Sequence, residues 1–444
     1  VVEANGVCDN RVISIRSNHD RGWFTRESFQ PNKDEAMRTE YDCVVMGAGP
    51  GGCSTATLVA EAGHSTLLVE REKMPRFHVG ESLMPETYWT LGRLGVLEKM
   101  RERGFVRKVG VQFVNNTGKE SQPFFFDEHD ERDCSRTWHV ERDRFDQMLF
   151  ENAAEKGADC YDETRVLGVT LNPQSPHQVK LQQSNGTTTT VQARVVVDAT
   201  GQSALLANRL GLREENRKLR KAAIWTYYRG AERCEDTERN TTVILHTEDK
   251  QAWFWYIPLA DDIVSVGAVG DNDYMLKGRG TPTEIFAEEL ANCPAVARRV
   301  EGAVRQGDFH VAKEFSYTTK QQAGNGWVLV GDAFGFIDPI YSSGVFLALK
   351  SGEAAADAIV AGFQRNDLSP QQLGAWTHNF TQGGELIRKL VHAFYTNEFS
   401  FGMFMKDHPE HKGRLTDLLI GRVFEGDAGR IFHDLDPMLE KVEA

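Results

Sequence analysis

Long apolar runs, paired cysteines and a basic charge balance are all missing from this sequence. No stretch of about eighteen uninterrupted apolar residues occurs, so no membrane-spanning helix is expected. Acidic residues outnumber basic ones, 64 to 51, for a net charge of −13, and no extended Lys/Arg block breaks that balance. A surface of that sign repels phosphate backbones, which excludes nucleic acid as a partner class. The seven cysteines, Cys8, Cys43, Cys53, Cys134, Cys160, Cys234 and Cys293, form no C-x-x-C pair and are odd in number. Scattered single thiols fit a reducing compartment, so a cytoplasmic location is expected. Without a recognisable secretory signal, the Asn-x-Thr sequons at Asn185 and Asn240 read as chance matches. No internal repeat is present. His408 and His411 stand three apart, but no cysteine or acid cluster completes a ligand set, so no metal is expected.

With 444 residues the chain is too long for one simple core, and two or three structural regions are expected. Residues 1–36 are polar and aperiodic and read as a flexible extension. Ordered pattern begins with "YDCVVMGAGPGGCSTATLVAEAGHSTLLVE". A strand over Cys43–Met46 runs into a glycine-rich turn; a helix then ends near Gly63, and a second strand covers Thr66–Val69. Gly47, Gly49 and Gly52 have G-x-G-x-x-G spacing, and each glycine has a mechanical task. They serve a tight turn, the close approach of backbone to a pyrophosphate, and helix-on-strand packing. The helix N-terminus faces the phosphates, and Glu70 stands where an acid meets a ribose hydroxyl. A dinucleotide-type cofactor is the expectation.

Two more buried strands end in small residues and an acid: "RVVVDATG" up to Gly201, and Trp327–Val330 followed by Gly331 and Asp332. Small residues let a cofactor approach, and an acid after the strand can accept hydrogen bonds from its hydroxyls. A Ser/Gly turn at 342–344 starts a helix running to about Phe363. The segment 216–314 is different in kind, with alternating stretches such as "AIWTYYRG" and "IVSVGAVG" that read as antiparallel strands. "VKLQQSNGTTTTVQA" reads as a hairpin turning at Asn185-Gly186. Residues 366–444 read as helical, their Phe and Met residues serving as core. The expected class is α/β, α+β overall. A Rossmann-like FAD-binding domain over 40–215 and 315–365 carries an inserted antiparallel-sheet substrate region, 216–314, and a helical C-terminal region, 366–444.

The G-x-G-x-x-G turn, the "DATG" strand and "GDAFGFIDP" together resemble the FAD monooxygenase superfamily over about residues 40–365. Arg142 in "WHVERDRFDQML" matches that family's arginine-then-"FD..L" helix. Within the superfamily, three features resemble the flavin-dependent halogenases, in the branch acting on phenols and pyrroles. "RFHVGESLMP" resembles its G-E-S-L-x-P loop, which contains Glu81 and Ser82. Trp253, Trp255, Ile257 and Pro258 reproduce W-x-W-x-I-P, and Phe336, Pro339, Ser342 and Gly344 reproduce F-x-x-P-x-x-S-x-G.

The resemblance implies a division of labour. FAD would be held by Gly47, Gly49, Pro50, Gly51, Gly52, Glu70, Arg71, Glu81, Ser82, Arg142, Gly201, Gly331, Asp332, Pro339 and Gly344. Halide, chloride or bromide, would sit against Ser343 and Gly344. FADH2 and dioxygen would oxidise it to hypohalous acid, and Lys108 in "GFVRKVGVQF" would relay this to a small electron-rich aromatic, free or tethered to a carrier protein. Trp253, Trp255, Ile257 and Pro258 would keep that aromatic off the flavin. A separate flavin reductase would supply FADH2, since no complete NAD(P)H site is readable. An ordinary aromatic hydroxylase or flavoprotein reductase, or a non-catalytic FAD binder, would use the same scaffold.

Overall fold

The apolar run that opens the glycine turn lies at the centre of a mostly parallel sheet. A computed structural model describes residues 37–173, 176–233, 240–396 and 401–443; the extension expected over 1–36, with Cys8, lies outside these, as does Cys234. The described chain divides into two units. The larger holds residues 37–110, Phe124–Glu215 and the chain from Tyr317 onward; the smaller holds Val111–Pro123 and Asn216–Ser316. Residues Val111–Pro123 therefore group with the antiparallel segment, and the C-terminal helices group with the parallel sheet.

In the larger unit the strands Trp327–Leu329, Thr188–Asp198, Glu40–Met46, Thr66–Val69 and Asp159–Tyr161 lie side by side in that order, all parallel. The pairing register sets Met46 beside both Asp198 and Val69, and Asp198 beside Leu329. The four strand ends thus stop at one level, and each is followed by a loop read from the sequence as a cofactor contact. Open α/β sheets bind ligands at this carboxyl edge. Ala323–Gly324 adds an antiparallel edge. The hairpin is present, with His177–Gln183 antiparallel to the first half of Thr188–Asp198 and Gly186 in the left-handed region its turn requires (φ +85°).

Both faces of this sheet are covered. One core gathers Cys43, Val45, Val195, Val197 and Val328 under helices Pro50–Glu61, Arg142–Glu155 and Ser343–Arg365. The other gathers Val44, Met46, Val196 and Leu329 with Phe334 and Phe380. Burial on both faces explains why these strands read as unbroken apolar runs rather than as alternation.

The smaller unit is a sheet in the order Val304–Thr319, Arg213–Arg229, Ile263–Asp271, Ala252–Pro258, Thr242–His246 and Gly110–Val114. Its pairs among Arg213–Arg229, Ile263–Asp271, Ala252–Pro258 and Thr242–His246 are antiparallel, as the alternating pattern predicts. Helices Pro282–Ala291, opened by a Thr281/Glu284 capping box, and Pro294–Arg299 cover one face. Phe254, Tyr256, Val264, Val266, Phe286 and Val296 form the core beneath them.

The segment around Lys108 forms two strands rather than one. "GFVRKVGVQF" divides into Val106–Lys108, which pairs with Thr137–His139 in a two-stranded sheet, and Gly110–Val114, which joins the larger antiparallel sheet. Lys108 belongs to the first piece, in the unit that carries the glycine loop.

Candidate active site

The glycine turn is set by sterics. Gly47 has φ +103°, and a Cβ there would stand 2.4 Å from the Ala199 carbonyl oxygen. A Cβ on Gly52 would be 1.9 Å from the Gly47 oxygen, so the helix could not leave the turn at this angle. Gly49 is different: its nearest non-neighbouring atom is an Arg76 nitrogen at 3.9 Å, which leaves its backbone open to a ligand. Pro50 takes the first helical position, where a missing N–H costs nothing. Gly51 serves packing, its Cβ position being 3.0 Å from the Ala348 oxygen on the long helix.

Glu70 is buried at the end of its strand. Its carboxylate accepts from the N–H groups of Ala48 and Glu72, each at 3.1 Å, and faces Arg76 Nε at 3.4 Å. A carboxylate has about four acceptor directions, so room remains for a ribose hydroxyl. Arg71 is exposed and pairs with Glu72 at 3.4 Å.

Arg142 opens its helix from a buried position. Nε and Nη2 donate to the two Asp146 oxygens at 2.9 and 3.0 Å, and Nη1 donates to the carbonyls of Val79 and Gly80 at 2.6 and 3.3 Å. Asp146 also accepts from Arg76 Nη1 at 2.8 Å. Glu70, Arg76, Asp146 and Arg142 thus form a buried chain of alternating charge beside the glycine loop. Neither Arg76 nor Asp146 was singled out from the sequence. The signal was available, since Asp146 follows Arg142 by four residues, the spacing that brings side chains together on a helix.

The G-E-S-L loop and Lys108 flank the same short strand, Thr137–His139. On one side, Val140 donates to the Glu81 carbonyl at 2.7 Å, Ser82 bridges His139, and Leu83 donates to Trp138 O at 3.0 Å. On the other side Lys108 pairs with Thr137. The Lys108 side chain is 4% exposed; Nζ donates to the Leu83 carbonyl at 3.1 Å and lies 5.4 Å from the centre of the Phe126 ring. Burial lowers its pKa from 10.5 to about 7. Such an amine is poised to change protonation near neutral pH.

The two strand-end acids do different work. Asp198 accepts from Thr200 N, Thr200 Oγ1 and Leu206 N at 3.0, 2.7 and 2.6 Å, so it builds the "DATG" turn rather than meeting a ligand. The side chain of Asp332 accepts no hydrogen bond from the described residues, while burial raises it to about 6 against the opposing pull of the Arg142 guanidinium. A carboxylate left in that condition is an acceptor set for ribityl-type hydroxyls. Gly201 (φ +61°) has nothing within 4 Å of its Cβ position, and Gly331 (φ +59°) turns the chain into Asp332. The residues present fit an FAD.

Beyond Pro339 the chain tightens, with Ser342 N donating to Pro339 O at 3.0 Å and Ser342 at φ +59°. Helix Ser343–Arg365 then starts at a buried Ser343, and Gly344 has nothing within 4 Å of its Cβ position. Free N–H groups at an open helix start suit an anion.

In the smaller unit, alternation along Ala252–Pro258 is as read from the sequence. Phe254 and Tyr256 face the helices, where Phe254 meets Phe286 edge-on at 5.6 Å and Tyr256 donates to Glu232 O at 2.5 Å. Trp253 and Trp255 share the other face at 6.4 Å between ring centres, and Trp225 lies 6.0 Å from Trp255. The Trp255 ring lies flat on Gly267, where a Cβ would come within 2.2 Å, and its Nε1 donates to Ser265 Oγ at 3.1 Å. This fixes the indole plane. Ile257 and Pro258 are buried at the end of the strand.

Residues 40–362 match the family described as an FAD binding domain. The chain is 29% identical over 91% of its length to a 1H-pyrrole-2-carbonyl-[peptidyl-carrier protein] chlorinase of Pseudomonas fluorescens, covering 94% of that protein. It is 31% identical over 87% of its length to the corresponding brominase of Pseudoalteromonas luteoviolacea, covering 93% of it. Among solved structures, the flavin-dependent brominase Bmp2 superposes with a TM-score of 0.81 at 29% identity, over 91% of this chain and 100% of that one. The myxobacterial chondrochloren halogenase CndH gives 0.76 at 30% identity, over 82% and 84%.

Proposed function

We propose, from the premise that this chain belongs to the flavin-dependent halogenases, that it places chloride or bromide on a pyrrole ring carried as an acyl group on a carrier protein. The family membership makes it an FAD-dependent enzyme that halogenates an aromatic ring. The carrier-borne pyrrole is the finer reading, supported by the two relatives that act on such a substrate and are matched nearly end to end. A flavin reductase completes the proposed system.

When bound, reduced FAD supplies with dioxygen the two-electron oxidation that turns halide into an electrophile. The residues of this chain do the rest. The glycine loop and the start of helix Pro50–Glu61 hold the pyrophosphate, with Glu70 at a ribose hydroxyl and Asp332 at the ribityl chain. Arg142 keeps one N–H for the cofactor, because four of its five are committed to Asp146, Val79 and Gly80. Ser343 and Gly344 offer helix-terminal N–H groups to the halide. Lys108 receives hypohalous acid, either hydrogen-bonding it as an ammonium or attacking it as an amine. The ring then loses a proton as it gains the halogen, the O–halogen bond breaks, and the oxygen of the hypohalous acid leaves as water. Trp253 and Trp255, with Ile257 and Pro258 closing the strand, are proposed to wall the organic substrate from the flavin.

The observation that carries the reading is Lys108. It is a buried lysine with no carboxylate partner among the described residues, and its amine is held by a backbone carbonyl of the G-E-S-L loop. The test supplies FAD, a reductase, halide, and a panel of carrier-tethered pyrroles and free phenols. Halogenated tethered pyrrole, lost in Lys108→Ala while FAD stays bound, supports the proposal. Hydroxylated product formed equally without halide would make the chain a monooxygenase.

A further inference from the structure

His408 and His411, set aside as ligands because no cysteine or acid cluster in the sequence completes a set around them, are joined by two carboxylates. Glu410 lies between them in sequence, and Asp434 arrives from the helix Phe432–Glu443. One ligand atom from each of His408, Glu410, His411 and Asp434 can be chosen so that all four lie within 4.8 Å of one another. His411 Nε2 is 2.8 Å from Asp434 Oδ2, and His408 Nδ1 is 3.3 Å from Glu410 Oε1. Sequence spacing could not reveal the fourth member, which is 23 residues beyond His411.

We propose that these four side chains form a zinc site that clips the C-terminal helix to the 408–411 turn. Two imidazoles with two carboxylates suit a borderline divalent ion, whereas an all-oxygen set would suit magnesium or calcium. Both imidazoles are already oriented: the Phe404 ring stacks on His408 at 5.1 Å and on His411 at 5.8 Å between ring centres. His411 is buried, while His408, Glu410 and Asp434 are partly open, so the site has a rigid floor and an entry side.

A tetrahedral zinc with bonds of about 2.0–2.2 Å sets its ligands roughly 3.3–3.6 Å apart. The 4.8 Å spread exceeds this by roughly 1.2–1.5 Å, a gap that side-chain movement on entry of the ion would close. Binding must also displace a proton. Without metal, Arg414 Nη1 donates to His411 Nδ1 at 3.2 Å, which places the ring proton on Nε2, toward Asp434. Zinc takes Nε2, and the proton moves to Nδ1. Arg414 can release that nitrogen because its Nε and Nη2 already hold Asp427 Oδ2 at 3.2 and 2.8 Å. The role is structural, since the ion ties together two segments and has no part in the halogenation steps above.

The experiment uses the full chain without a polyhistidine tag, loaded with FAD and stripped with a chelator. Titration with zinc chloride alone, followed by calorimetry and by thermal unfolding, should show one ion per chain at micromolar affinity or tighter and a raised Tm. Affinity should fall tenfold or more in His408→Ala and in Asp434→Asn. These are partly exposed positions where substitution leaves the fold in place, as far-UV circular dichroism would verify. Halogenation by the stripped protein should match that of the zinc-loaded form at a temperature well below either Tm. Absence of saturable binding overturns the proposal. So does a one-to-one site that survives both substitutions, which would place the ion on the cysteines or elsewhere.

Discussion

Lys108→Met should make the protein more stable near neutral pH while abolishing its chemistry. A free lysine titrates at 10.5, and in this site burial brings that to about 7. Above pH 10.5 the amine is neutral in folded and unfolded chains alike, so burial of the amine costs no charge. Below 10.5 the unfolded chain takes up a proton that the folded chain refuses until about pH 7. Stability is therefore lost as pH falls through that window, and the loss is complete below it. At about 1.4 kcal/mol per pH unit, the full penalty is on the order of 4–5 kcal/mol. Methionine fills similar volume without charge, but it leaves the Leu83 carbonyl without its donor, at a cost of about 1 kcal/mol. The variant should then exceed the parent by roughly 3 kcal/mol at pH 6.5–7, and the advantage should vanish near pH 10. Urea unfolding at saturating FAD, repeated across this range for both proteins, isolates the lysine because every other titrating group cancels in the difference. Halogenated product should fall by about 10²–10⁴-fold, the scale of a lost proton-transfer or nucleophilic group. A stability difference that stays flat with pH would refute the argument, since it would mean that the amine is charged and solvated in the folded state.

Gly344→Ala places a methyl where no atom lies within 4 Å, so the fold tolerates it and the helix gains about 0.5–1 kcal/mol of propensity. If that space belongs to halide and flavin, the KM for halide should rise at least about tenfold, measured by product formation against halide concentration. Asp332→Asn should stabilise the FAD-free protein. The raised carboxyl favours folding below about pH 4 and loses that contribution as pH rises through about 6. The gain should be about 1–2 kcal/mol at pH 8, discounted because the group is partly open, and near zero below pH 4, read by denaturation; FAD affinity should fall. Trp253→Ala should raise halide-independent oxygen consumption in the presence of substrate, with FAD affinity unchanged within about twofold. Loss of FAD from that variant would make the strand simple core.

How much of this was legible in the sequence depends on how local each interaction is. The parallel strands were readable because burial on both faces demands unbroken apolar runs: Thr66–Val69 has the limits read from its sequence, and Trp327–Leu329 differs by one residue. Alternation found the antiparallel strands for the converse reason. The break at Val109 was not readable, because "VRKVGVQF" has one continuous pattern while its halves pair with different partners. Pairing partners lie far away in the chain, and periodicity carries no information about them.

The site follows the same rule with sharper consequences. Motif spacing found Gly47, Gly52 and Arg142, whose tasks are steric or sit within one helix. It named Asp332 alone of the two strand-end acids as a cofactor contact but could not show why they differ: Asp198 is consumed by its own turn, while the Asp332 side chain accepts no hydrogen bond from the described residues. That difference arises from the residues that follow each strand: "DATG" has a threonine hydroxyl two positions on, and "GDAFG" has none. Nor could spacing show that Arg142 is nearly saturated by acceptors of the protein itself. Asp146 takes two of its N–H groups and the Val79–Gly80 carbonyls take two more, while Arg76 ties the same Asp146 to Glu70 and so to the N–H of Ala48. The guanidinium is therefore less a free cation than a fixed member of the buried charge chain. Its orientation is set by an aspartate that belongs to the same helical turn, and by a loop whose glycine leaves room for it at 3.0 Å. If the proposed FAD contacts hold, these residues meet the cofactor already in position, which spares the binding step the ordering of two long side chains.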